Sequence, residues 1–370
     1  MFIMESAPGA KTVINGREYD YFSGCGYYCL GGHPEVVKAA CDAAYKYGIG
    51  SSTSRAGFGS TPALIEVEKR AAEFFGAESS LYYVSGYLGN TILLKGLEDD
   101  YDIIFADERS HYSITDAVAQ TQKRCIKFEH RNPEDLRKKL NEHLKASERL
   151  LLISDGVFPE TGAISPLAEY YEVLKEFAKP LICVDDAHAM GVIGEKGRGS
   201  FEHLGLNEEG LYSSGTLSKA FGGHGGIIAG KAEFIEKLKA KAPLLYASSG
   251  TPNPASAATA KSIQILSEHP ERRKKLWDNV LYAKKQLRNL GFDIELTPVA
   301  IISLHKKGVN LEALQKKLFD EGIAVKYSAE GSYTSVPEGG AIRIAIFSEH
   351  TREQIERLLE QVRRFVLEND

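Results

Sequence analysis

One lysine in this chain stands apart from its neighbours. Lys219 lies in Gly215-Thr216-Leu217-Ser218-Lys219-Ala220-Phe221-Gly222-Gly223-His224-Gly225-Gly226, with no other Lys, Arg, Asp or Glu between Glu209 and Lys231. An ammonium shielded from water, with no carboxylate beside it, gives up its proton more readily than a surface one. The neutral amine can condense with an aldehyde, so imine chemistry is what this lysine suggests. Taken alone, the stretch reads equally well as a helix-start lysine in a glycine-rich loop.

A second group tips the balance. Leu181-Ile182-Cys183-Val184 is an apolar run with the composition of a buried parallel strand. It ends in Asp185-Asp186-Ala187-His188, with Gly191 and Gly194 beyond. Carboxylates at the carboxyl end of such a strand point into the crevice where α/β sheets bind ligands. An acid there, roughly thirty residues before an isolated lysine, fits pyridoxal 5'-phosphate (PLP). The aspartate keeps the pyridine nitrogen protonated and the lysine holds the aldehyde.

The elements that must position these groups alternate in the manner of a doubly wound sheet. A hairpin over 12–22 turns at Asn15-Gly16, and helices follow over 35–47 and 62–75. Ser80–Val84, Asp102–Ala106, Leu150–Ser154 and Leu211–Ser213 read as strands. Helices are expected over Gly86–Gly96, 133–147 and Leu167–Phe177. After residue 266 the texture changes. A charged helix (270–289), strands at Asp293–Leu296 and Ala300–Leu304, a helix (310–321), strands at Ala324–Tyr327 and Ile342–Phe347, and a last helix (351–368) describe a smaller α+β domain. The expected organisation is an N-terminal segment (1–34), a large cofactor-binding domain (35–266) and a small C-terminal domain (267–370).

Composition narrows the class. A net charge of −5 over 370 residues gives no electrostatic reason to bind nucleic acid or an anionic membrane. The five cysteines, 25, 29, 41, 125 and 183, are odd in number and show no Cys-x-x-Cys spacing, which favours a reducing cytoplasm and no metal site. Met1–Lys11 lacks a basic region followed by an apolar core, so no signal peptide is expected. The uncharged stretch Ala242–Ala260 carries Pro243, Pro252 and Pro254 and is no membrane helix.

At this point the chain resembles a known family. Val184-Asp185-Asp186-Ala187-His188, Gly191-Val192-Ile193-Gly194, Gly197-Arg198-Gly199 and Gly215-Thr216-Leu217-Ser218-Lys219 look like the α-oxoamine synthases. These are PLP enzymes of transferase fold type I, a doubly wound, mostly parallel sheet with a smaller C-terminal domain. They condense an amino acid with an acyl thioester, lose the carboxylate and give an aminoketone. The resemblance runs from about Phe22 to the C-terminus.

It implies a role for each matching residue. Lys219 carries the cofactor, Asp185 pairs with its ring nitrogen, and His188 bonds its phenolic oxygen. His111, in Asp107-Glu108-Arg109-Ser110-His111-Tyr112-Ser113, stacks on the ring and helps move protons. Gly86 and Tyr87, where a strand turns into a helix, offer amides to the phosphate, and Thr216 a hydroxyl. Ser248-Ser249-Gly250-Thr251 resembles a segment through which a neighbouring subunit reaches the phosphate, so a homodimer with Thr251 as a cofactor contact is implied. Arg343 holds the substrate carboxylate with a bidentate fork.

Two substrate positions depart from the family. Cys25, in Cys25-Gly26-Tyr27-Tyr28-Cys29, replaces a substrate-contacting asparagine. Pro159, in Asp155-Gly156-Val157-Phe158-Pro159-Glu160-Thr161-Gly162, replaces a serine and cannot donate a hydrogen bond. An aminotransferase or another PLP amino-acid enzyme of the same fold is the competing reading, and it would release neither thiol nor carbon dioxide. A non-catalytic subunit of a heteromeric synthase is the reading from another class. Such a subunit loses the cofactor lysine, and Lys219 is present.

Overall fold

The computed structural model describes residues 1–334 and 336–369. The chain opens with the expected hairpin, β1 (Lys11–Ile14) and β2 (Arg17–Tyr21). Asn15 and Gly16 at its tip have φ of 48° and 76°, the left-handed pair that a two-residue turn between twisted strands requires.

The large sheet is built from β3 (Ser79–Tyr83), β4 (Ile103–Asp107), β5 (Arg124–Phe128), β6 (Leu150–Asp155), β7 (Ile182–Asp185), β8 (Leu211–Thr216) and β9 (Gly226–Gly230). Their spatial order is β3-β9-β8-β7-β6-β4-β5. Pairing is parallel from β8 to β5, while β9 runs antiparallel to β8 and β3. Alternate residues of the central strands enter two separate cores. Ile104, Leu151, Ile153 and Cys183 pack with Leu93 and Leu238 on one face. Phe105, Leu152, Ile182 and Val184 pack with Leu136, Leu140 and Tyr170 on the other. Burial on both faces is why these strands read as unbroken apolar runs in the sequence.

Strand β10 (Ile301–Leu304) follows, then β11 (Ile323–Ala324), β12 (Lys326–Ser328) and β13 (Ala341–Ala345). Strand β13 lies between β10 and β12, antiparallel to both. The short β11 pairs instead with β2, in parallel, so the N-terminal hairpin joins the C-terminal part of the chain. Residue 266 lies inside the helix Asn253–Glu268, which packs on Pro34–Tyr47 and Pro62–Phe75.

Three expected elements differ. Residues 293–296 form no strand; Ile294 is buried but Leu296 is exposed, so the alternation does not hold, and no neighbouring strand pairs with the segment. The helix expected over 133–147 stops at His143, where Leu144 turns to extended backbone. The strand expected over 324–327 is broken at Val325 into β11 and β12, which join different sheets. Among the described residues no helix is long and apolar enough to cross a membrane, and no cluster of His, Cys, Asp or Glu could hold a metal ion.

Candidate active site

Asp107, Asp155, Asp185 and Thr216 are each the last residue of their strand, at the carboxyl edge of the large sheet. A cleft of about 250 Å³ opens there. Gly86, Tyr87, His111, Asp185, His188, Thr216 and Lys219, scattered over 134 residue positions, all line it.

Lys219 follows β8 through a tight turn and is half-buried. Its Nζ lies 2.9 Å from His188 Nε2, and His188 Nδ1 lies 2.8 Å from the Tyr27 hydroxyl. Tyr27 is fully buried, and that burial holds its pKa well above the usual phenol range, so it keeps its proton. Burial lowers the pKa of Lys219, and it drives that of His188 well below the usual imidazole range, with the Lys219 and Arg343 charges adding to the shift. The same desolvation disfavours the charged form of both groups.

Asp185 is fixed by three donors. Asn90 Nδ2 reaches Oδ2 at 2.7 Å, Ser113 Oγ reaches it at 3.0 Å, and the Ala187 N–H meets Oδ1 at 3.1 Å. Next to it, Asp186 accepts from the Ser200 N–H and hydroxyl, an anchor that fixes the strand end from behind. His111 caps the helix Tyr112–Gln120, its Nδ1 accepting the Ser113 N–H at 3.1 Å. Burial lowers its pKa as well. Its own N–H donates to Asp155 Oδ2 at 2.9 Å.

At the other end of the cleft, Ser85 precedes a short helical turn whose Tyr87 N–H it caps. A Cβ at Gly86 would lie 2.6 Å from Thr216 Cβ, so only glycine lets this turn close onto β8. Thr216 Oγ1 donates to the Gly225 carbonyl at 3.0 Å and accepts from Ser218 Oγ at 2.7 Å. Backbone amides at a helix start with hydroxyls facing them make an anion cradle. Together with an acid at the opposite end and a desolvated lysine and an imidazole between them, this cradle matches the phosphate, ring nitrogen and aldehyde of PLP. The donor set fits the cofactor.

Arg343, on β13, is 4% exposed and lies behind the Pro159 wall of the cleft. It donates to the Pro159 carbonyl at 2.8 Å, the Gly24 carbonyl at 3.1 Å and Cys25 Sγ at 3.5 Å. Both departures from the family pattern thus touch the same guanidinium. Thr251 is not brought to this cleft by its own chain. It lines a separate pocket of about 290 Å³ with Arg55, Tyr82 and Tyr246, and its buried Oγ1 has no hydrogen-bond partner among the described residues.

Sequence reasoning assigned no role to Tyr27, Asn90, Ser113 and Asp155. Each stood inside a stretch already singled out, but nothing in its type marks it. A buried phenol and a bridging amide become functional only through the side chains they meet.

Known proteins decide the family. The aminotransferase class I and II profile matches residues 24–362. The chain belongs to this family. Within it, 8-amino-7-oxononanoate synthase of Thermosipho melanesiensis is 36% identical over 97% of this chain and 91% of that protein. The same enzyme of Thermoanaerobacter pseudethanolicus is 36% identical over 96% and 90%. Serine palmitoyltransferase of Sphingomonas wittichii superposes with a TM-score of 0.90 at 28% identity, covering 100% of this chain and 92% of that one. A serine palmitoyltransferase from S. paucimobilis, solved with a bound PLP–myriocin adduct, gives 0.89 at 27% identity over 99% and 92%. All are α-oxoamine synthases, and so is this chain. It is a PLP-dependent acyltransferase of fold type I, an enzyme class that joins an amino acid to an acyl thioester with loss of the carboxylate.

Proposed function

We propose that Lys219 is the residue that holds PLP, and that this α-oxoamine synthase works on an amino acid selected by Arg343. The observation that carries the reading is the Tyr27–His188–Lys219 chain, with contacts of 2.8 and 2.9 Å, which holds a desolvated amine in the cleft. Asp185 would face the ring nitrogen, His111 the ring, His188 the phenolic oxygen, and Gly86, Tyr87 and Thr216 the phosphate. When bound, PLP supplies an electron sink for charge developing on the α-carbon of the amino acid.

The rest of the work falls to the protein. Lys219, uncharged, can take a proton from the α-carbon and return it. His188 stays neutral and keeps the amine oriented. Asp185, held by three donors, keeps its charge aimed in one direction. Arg343 would exchange part of its bonding to the Pro159 and Gly24 carbonyls for the substrate carboxylate. Cys25 and Pro159 offer less polar support than the residues they replace. The site therefore demands a carboxylate while discriminating weakly among small amino acids, because lost hydrogen bonds cost selectivity before they cost all binding.

We further propose a cytoplasmic homodimer in which a second copy brings Thr251 to the phosphate. The unpartnered Thr251 hydroxyl supports this, as does the exposed Tyr246, which lines the same pocket.

The functional test is product release. With an amino acid and an acyl thioester, the protein is expected to liberate thiol and carbon dioxide together, and Arg343→Ala to raise KM for the amino acid by roughly 10²-fold. Transfer of the amino group with neither product released would replace this reading with that of an aminotransferase.

A further inference from the structure

Three buried carboxyl groups stand in a row at the ends of neighbouring strands, Asp107 on β4, Asp155 on β6 and Asp185 on β7. The outer two are well supplied with donors. Asp107 accepts from the N–H groups of Arg109 and Arg131 and from His130 Nδ1, each at 2.9 Å. Asp185 has Asn90, Ser113 and Ala187. The middle group is poor. Among the described residues, Asp155 receives one donor, the His111 N–H at 2.9 Å, and forms no ion pair. Parallel register sets it directly beside Asp185. Each neighbouring carboxylate thus has three donor groups where Asp155 has one.

We propose that Asp155 is a protonated carboxylic acid in the working enzyme and that in this form it is the positioning residue for His111. The acid accepts the His111 N–H and so fixes the turn that aims the imidazole into the cleft, and its proton relieves the crowding of three negative charges. The inference rests on the proposed role of His111 only for its consequence, not for the protonation itself. The groups facing Asp155 are Asp185 from β7, Asp107 from β4, Lys219 from the turn after β8 and Tyr333 from the segment before β13. Burial is the largest influence and raises its pKa well above the usual carboxylate range, with Asp185 and Asp107 in the same direction. The His111 backbone N–H and Lys219 oppose them.

Thermal stability against pH tests this, on holoenzyme and on protein without added cofactor. A pKa raised above the unfolded value of about 3.9 means that wild type loses stability as pH rises from about 4 towards the folded pKa. Asp155→Asn, neutral and nearly isosteric, has no such loss. Its Tm is expected to exceed that of wild type by on the order of 2 °C near neutral pH, with the gap widening as pH rises. Its affinity for PLP is expected to stay within about 2-fold, whereas Asp155→Ala, which removes the acceptor of the His111 N–H, is expected to weaken PLP binding about 10-fold. An Asp155→Asn protein less stable than wild type at neutral pH would overturn the proposal. If that variant does not fold, the infrared spectrum of wild type decides: a protonated-carboxyl C=O band supports the proposal and its absence overturns it. Borohydride fixation of PLP scores the cofactor reading separately, so its failure leaves the infrared result for Asp155 standing.

Discussion

Two lysines in this molecule are desolvated, and only one of them faces a site. Lys284, in the helix Glu271–Asn289, is 2% exposed, and burial lowers its pKa to about 7. Lys219 is lowered for the same reason. Their partners separate them. Lys284 ends on the Thr297 hydroxyl at 2.8 Å, with Glu295 the one charge acting on it. Lys219 ends on the His188 imidazole in a cleft that also holds an acid and an anion cradle. A perturbed amine is thus a common outcome of burial, and chemistry needs the groups around it. The sequence separates the two in the opposite way from exposure. Lys219 lacks charged neighbours, while Lys284 sits among Lys274, Lys275, Lys285 and Arg288 and reads as part of a solvated face.

The contrast is sharpest in turnover. Asp185→Asn acts only on the Lys219 region and should retain the fold while lowering kcat by roughly 10²–10³-fold, because an amide cannot hold positive charge on the ring nitrogen. Steady-state rates with the fold checked by circular dichroism measure this. A near wild-type rate would reduce Asp185 to a structural carboxylate.

Lys284→Met should do the reverse, leaving kcat within about 2-fold and changing stability. A folded pKa of about 7, below the unfolded value, means that wild type is penalised as pH falls from about 10 to about 7, by about 1.4 kcal/mol per pH unit. Methionine removes that slope. Denaturant unfolding across this range should show the variant gaining on wild type as pH drops, then a constant gap below about pH 7. Parallel curves would mean that Lys284 is no more perturbed than a surface lysine.

How much of this was legible follows from where the information sits. The central strands and the turn carrying Lys219 were readable because burial on two faces forces continuous apolar runs, and positions at strand ends follow from them. Strand β5 left no such run, since it is the sheet edge and Arg124 and Lys127 are exposed. The helix Asn253–Glu268 was hidden by small polar residues, Ser256, Thr259 and Ser262, which are fully buried, Thr259 accepting the His224 N–H at 2.9 Å. The substrate side was legible only as a departure. Arg343 meets Cys25 across 318 positions and the Pro159 carbonyl across 184, contacts that no local pattern encodes. Tyr27 and Asp155 were invisible for a related reason, because their function is carried out through His188 and His111.

The most direct test of the central claim is chemical. Wild-type enzyme loaded with PLP, reduced with borohydride, digested and mapped by mass spectrometry should carry the cofactor on Lys219 and leave Lys284 unmodified. An adduct on Lys284, or on any lysine other than Lys219, would contradict the account.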